Sequence, residues 1–88
     1  MNDVQPRTPK MHWTGDLNDD CSAEWNGLLL RAEAMSRTDW WWAVIDTATR
    51  EQVASSHDEG LRVTTGKKAR REAEAAARKW VEGQRLEK

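Results

Sequence analysis

Tyrosine and phenylalanine are absent from this chain of 88 residues, and cysteine occurs once. Without Tyr or Phe, every aromatic contact must come from tryptophan, of which there are six. The lone Cys21 excludes an internal disulfide framework and fits a reducing, cytoplasmic setting. No apolar run approaches the roughly 18 residues of a membrane-crossing helix, so no membrane association is expected. The start of the chain also lacks the charged-then-apolar pattern of a secretory signal. Both prolines fall in MNDVQPRTPK, so residues 1–10 are expected to form a flexible arm. A net charge of −1 excludes a strongly basic whole-chain footprint for nucleic acid. With 38% apolar and 33% charged residues, the chain is too apolar and too aromatic for a disordered segment.

What is present is arranged as strands followed by a helix. WWWAVID is the clearest strand signal, because aromatic and β-branched side chains suit a pleated surface. Residues 23–35, AEWNGLLLRAEAM, read as a preceding strand, and a short strand is expected around MHWT. GDLNDDCS, SRTD and TATR supply turns, and EQVASSH reads as a weaker edge strand. TGKKARREAEAAARKWVEG is the helix, capped by Thr64 or Thr65 and ended by Gly83. These elements make an α+β domain over residues 11–84, with residues 85–88 as a frayed end. The expected fold is a three- or four-stranded antiparallel meander with one C-terminal helix packed on one face.

Periodicity sorts the side chains by face. Ala69, Ala73, Ala76, Ala77, Trp80 and Val81 trace one stripe of the helix. Alanine lets the helix axis lie close to the sheet, so the sheet must supply the large side chains. Trp40, Trp42 and Val44 alternate with Trp41, Ala43 and Ile45; Leu28 and Leu30 alternate with Leu29, Arg31, Glu33 and Met35. Arg31 and Glu33 need solvent, so Leu28, Leu30, Trp40, Trp42 and Val44 are assigned to the core with Ala73, Ala77 and Trp80. Each buried Trp removes roughly 150–250 Å² from water, worth about 4–6 kcal/mol as an upper bound. That choice leaves Trp41, Leu29, Ile45 and Arg31 on the outer face. An apolar patch there either binds a partner or lies beneath the N-terminal arm or Trp13.

The polar constellations are sparse. Asp16, Asn18 and Asp20 resemble the opening of a calcium loop. Cys21 stands where that loop needs glycine and Gly27 where it needs glutamate, so an acidic hairpin turn is expected. His12, Cys21 and His57 are too few and too scattered for a structural zinc site or an oriented Cys/His pair. No metal, cofactor or catalytic residue is assigned, and no enzyme activity is expected. Lys67, Lys68, Arg70 and Arg71 crowd the helix start, which ordinarily prefers acids. Added to free N–H groups they make an anion site; alternatively Glu72 and Glu74 neutralise them, with Arg70–Glu74 as an i,i+4 pair.

Three resemblances bear on function. The Lys-Lys opening of an alanine-rich terminal helix after a strand meander is similar to the end of the double-stranded-RNA-binding domain. That likeness implies phosphate contacts by Lys67, Lys68 and Arg71, although Ala69 follows the Lys pair at once and the family's first helix has no counterpart. A sheet followed by such a helix also looks like the DNA-binding domains of phage-type integrases, which implies roles for Arg31 and Arg50 on the sheet face. HWTGDLNDDCSAEWNGLLLRAE, WWWAV and ARREAEAAARKW together, over residues 12–82, resemble small uncharacterised proteins of bacteriophages and prophages. This last likeness implies a fold and a genomic setting, and no activity. The resulting expectation is an interaction module that binds a protein partner, or itself as a homodimer, through Trp41, Leu29, Ile45 and Arg31. Nucleic-acid binding at Lys67, Lys68, Arg70 and Arg71 is the alternative.

Overall fold

Asn26 and Gly27 carry left-handed backbone, with φ of 52° and 77°. Two consecutive left-handed residues make the tight turn whose twist matches that of paired strands, and Asn-Gly is its favoured sequence. The expected single strand over residues 23–35 is therefore two strands in a hairpin. In the computed structural model, which describes residues 11–58, 60 and 62–86, the elements are β1 (Thr14–Asp16), β2 (Asp20–Trp25), β3 (Leu28–Ala34), β4 (Trp40–Asp46), β5 (Gln52–Ser55) and α1 (Gly66–Leu86). The expected arm, residues 1–10, lies outside the described residues, as do residues 87 and 88 of the expected frayed end.

The five strands form one antiparallel sheet in chain order, and α1 packs across one face of it. The fold is thus α+β, a meander closed by one helix, with the Asn26-Gly27 turn raising the strand number to five. The short strand expected around MHWT begins at Thr14; Met11 is buried in the core instead. Asp16 Oδ1 accepts from the Asn18 N–H at 2.9 Å, and the Asp16 carbonyl accepts from the Asp19 N–H, which turns β1 into β2. The β4–β5 turn is tied to the Asn26-Gly27 turn between β2 and β3: Thr47 N–H and Oγ1 both donate to the Gly27 carbonyl, at 3.0 and 2.9 Å.

Face assignment follows the alternation. Leu28, Leu30, Ala32, Trp42 and Val44 are buried under α1, where Ala69, Ala73 and Ala77 are wholly inaccessible. β2 adds Cys21, Ala23 and Trp25 to the same layer, and the loop before α1 adds Val63, bridged to Trp40. Trp40 and Trp80, expected inside, are half-buried at the margins of the core. Trp13 packs on the core side as well and does not cover the outer face; its indole N–H donates to Glu74 Oε2 at 2.7 Å.

Thr65 caps the helix, its Oγ1 accepting from the Lys68 N–H at 3.1 Å. The helix does not stop at Gly83 but runs through it to Leu86. Two helix glycines have opposite surroundings. A Cβ on Gly66 would lie 2.8 Å from the Trp40 ring, whereas one on Gly83 would meet nothing within 4 Å. Gly66→Ala should therefore cost about 1–3 kcal/mol despite alanine's better helix propensity. Gly83→Ala should stabilise the fold by about 0.5–1 kcal/mol. Paired urea melts of the two variants check this; a loss at both positions would contradict the assigned packing.

Candidate functional site

The outer sheet face is built by cross-strand register. Thr14, Ser22, Arg31, Ala43 and Ser55 stand in one row. Asp16, Asp20, Glu33 and Trp41 form the row on one side of it; Glu24, Leu29, Ile45 and Gln52 form the row on the other. All four side chains expected on this face are there, and Leu29, Arg31, Trp41 and Ile45 are each half-buried. Ala43, between Trp41 and Ile45 along β4, is 0% exposed, as is Ser55 across from it, whose Oγ accepts from the Asp58 N–H of the turn after β5. Among the described residues, no element packs on this face: α1, Met11 and Trp13 all lie on the other.

Arg31 Nη2 sits 3.4 Å from Asp20 Oδ1, a half-exposed pair across β2 and β3. Met35 continues the face beyond Glu33 and is 65% exposed. Leu17, 45% exposed in the β1–β2 turn, was not singled out by sequence periodicity, because a turn residue belongs to no face. The β1–β2 turn meets the end of β3, where the Ala34 N–H donates to the Asp19 carbonyl at 2.6 Å. In the β3–β4 loop, a hydrogen bond from Arg62, seconded by one from Ser36, holds the Asp39 carboxyl below its ordinary range.

The basic helix start is less unified than its sequence. Lys67, Lys68 and Arg71 surround a shallow depression with Thr65 and Glu72. Arg70 turns away from them: its Nη1 donates to the Leu17 carbonyl at 2.9 Å and lies 4.0 Å from Cys21 Sγ. The expected Arg70–Glu74 pair is not formed. Glu74 accepts from Trp13 and pairs with Arg78 at 3.9 Å, and Glu72 Oε1 accepts from the Trp42 indole at 3.1 Å. Both glutamates thus answer indole N–H groups, of the buried Trp42 and the half-buried Trp13.

Cys21 is buried among core side chains, and its thiol donates to the Ala32 carbonyl. Burial pushes its pKa up, against the opposing pull of Arg70. His12 and His57 are exposed at opposite sides of the sheet. Among the described residues, no three His, Cys, Asp or Glu side chains gather as metal ligands would. Nor is any described helix long and apolar enough to cross a membrane. An open groove of about 300 Å³ between β5 and α1, lined by Val53, Ala54, Ala76, Lys79 and Trp80, presents no acid–base pair.

No protein-family model, curated protein or solved structure matches this chain. The outer face therefore stands on its own geometry. If Trp41 is a surface residue and Trp42 a core one, Trp42→Ala should cost about 3–5 kcal/mol and Trp41→Ala about 1 kcal/mol. Equal losses in denaturant titrations would contradict the two-sided reading.

Proposed function

We propose that this chain is a non-enzymatic interaction module that docks a protein surface on the outer face of its sheet. The observation that carries this reading is the contiguous patch of Leu29, Trp41 and Ile45 on a face where no described element packs. A one-sided sheet ordinarily turns polar side chains to water, and a half-buried aromatic–aliphatic cluster on its open face marks a contact surface. Trp and Arg are the side chains that most often dominate such contacts, and Trp41 stands across from the strand that carries Arg31. A buried free thiol at Cys21 is compatible with the reducing cytoplasm in which the partner is sought. The likeness to small bacteriophage and prophage proteins directs that search toward bacterial and phage proteins.

A second reading has its own support. Because Glu72 and Glu74 accept from indoles, Lys67, Lys68 and Arg71 face solvent without a described carboxylate bonded to them. This favours phosphate contacts at the helix start by Lys67, Lys68 and Arg71, the three residues that the double-stranded-RNA-binding resemblance implies, without Arg70.

Trp41→Glu separates the readings. It should abolish recovery of the partner from bacterial lysate while leaving the melting temperature close to the parent's. The same proteins recovered by both forms would contradict outer-face docking. Under the second reading, duplex binding should fall with salt at a log–log slope near −3 and vanish in the Lys67→Glu, Lys68→Glu variant. A slope near zero would dismiss it.

A further inference from the structure

The outer face carries mostly negative charge around its apolar centre. Asp16 stands directly across from Asp20, and Asp20 directly across from Glu33, so three carboxylates occupy adjacent strands in the row that ends at Trp41. Like charges placed opposite one another in a sheet destabilise it. Glu24 adds a fourth carboxylate in the row of Leu29 and Ile45. Against these the face offers one guanidinium, Arg31, which reaches only Asp20. Among the described residues, the side chains of Glu24 and Glu33 have neither a hydrogen bond nor an ion pair.

We infer that the partner docked on this face is a basic amphipathic protein segment, which sets apolar side chains on Leu29, Trp41 and Ile45 and Lys or Arg beside Glu24, Glu33 and the Asp16–Asp20 pair. The inference rests on the outer-face reading and adds the partner's chemistry. Charge complementarity selects this occupant over two others. A second copy docked face to face would bring two acidic rows together, which opposes an isologous dimer. A nucleic acid would bring phosphates against the same carboxylates, so the sheet-face DNA contacts implied for Arg31 and Arg50 by the integrase resemblance are disfavoured. A cationic segment relieves the carboxylate row and buries the patch in one step.

The test uses the full chain, labelled with ¹⁵N, and three short peptides: an amphipathic Lys/Leu helix former, its Glu-for-Lys counterpart and its Ser-for-Leu counterpart. The Lys/Leu peptide should shift the Trp41 indole resonance and the amides of residues 29–33 and 41–45. Its affinity should fall about tenfold between about 50 and about 500 mM salt. Neither counterpart should bind comparably, and Glu24→Lys, Glu33→Lys should transfer preference to the Glu/Leu peptide. Equal binding of the Glu/Leu peptide at the same resonances would overturn the cationic partner while leaving the docking face standing. Equal binding of the Lys/Ser peptide would sink the apolar docking face itself. Shifts confined to β5 amides, or a dimer dissociated by Trp41→Glu with no peptide response, would also overturn the inference.

Discussion

The whole fold depends on how closely α1 can approach the sheet. Ala69, Ala73 and Ala77 form a spine with no accessible surface, seated over Leu30, Ala32, Trp42 and Val44. A helix of alanines cannot fill the layer, so the volume comes from tryptophans standing on or beside the sheet. Tryptophan brings a polar N–H with it, and in a dry layer that group needs an acceptor. Glu72 and Glu74 supply it from the two flanks of the spine, each about 100° around the helix from Ala73. One takes the Trp42 indole and the other the Trp13 indole. These two bonds fix both the rotation of the helix and the path of the chain before β1.

Two surfaces follow from that arrangement. With its glutamates held in the second and third turns and no acid in the first, the helix start is left basic, against the preference of its own dipole. Arg70 is recruited to the β1–β2 turn through the Leu17 carbonyl, which joins the far edge of the sheet to the helix. With one helix committed to one face, the other face keeps Trp41, Leu29 and Ile45, framed by carboxylates. The acidic sheet face and the basic helix start lie on opposite sides of the layer, so any partner is chosen by side as well as by shape.

The sequence made the helix, its alanine stripe, the Thr65 cap and the sorting of Trp41 from Trp40 and Trp42 legible, because each rests on a local period. The Asn26-Gly27 hairpin was equally local. Its turn signal was outweighed by the apolar run of Leu28 to Leu30, which made residues 23–35 look continuous. Burial of Met11, Cys21, Trp25 and Val63 was not legible, since each reaches the core from a segment whose period is too short to show. Partners of Glu72, Glu74 and Arg70 are also long-range: spacing along the helix favours Arg70–Glu74, but the Trp42 and Trp13 indoles take Glu72 and Glu74, which keeps only its Arg78 pair, and an open carbonyl takes Arg70. The patch at Leu29, Trp41 and Ile45 was readable from alternation alone, but its row of carboxylates appears only once register places Asp16, Asp20 and Glu33 side by side.

Hydrogen exchange of the six indole N–H groups, followed by NMR on the intact chain, tests this account most directly. The Trp42 and Trp13 protons, held by Glu72 and Glu74, should exchange slowly, with Trp42 the slowest of the two because it is fully buried. The Trp41 proton should exchange at a rate close to that of a solvent-accessible indole. Protection of Trp41 comparable to that of Trp42 would contradict an open docking face, and rapid exchange at Trp42 would contradict the clamp beneath the alanine spine.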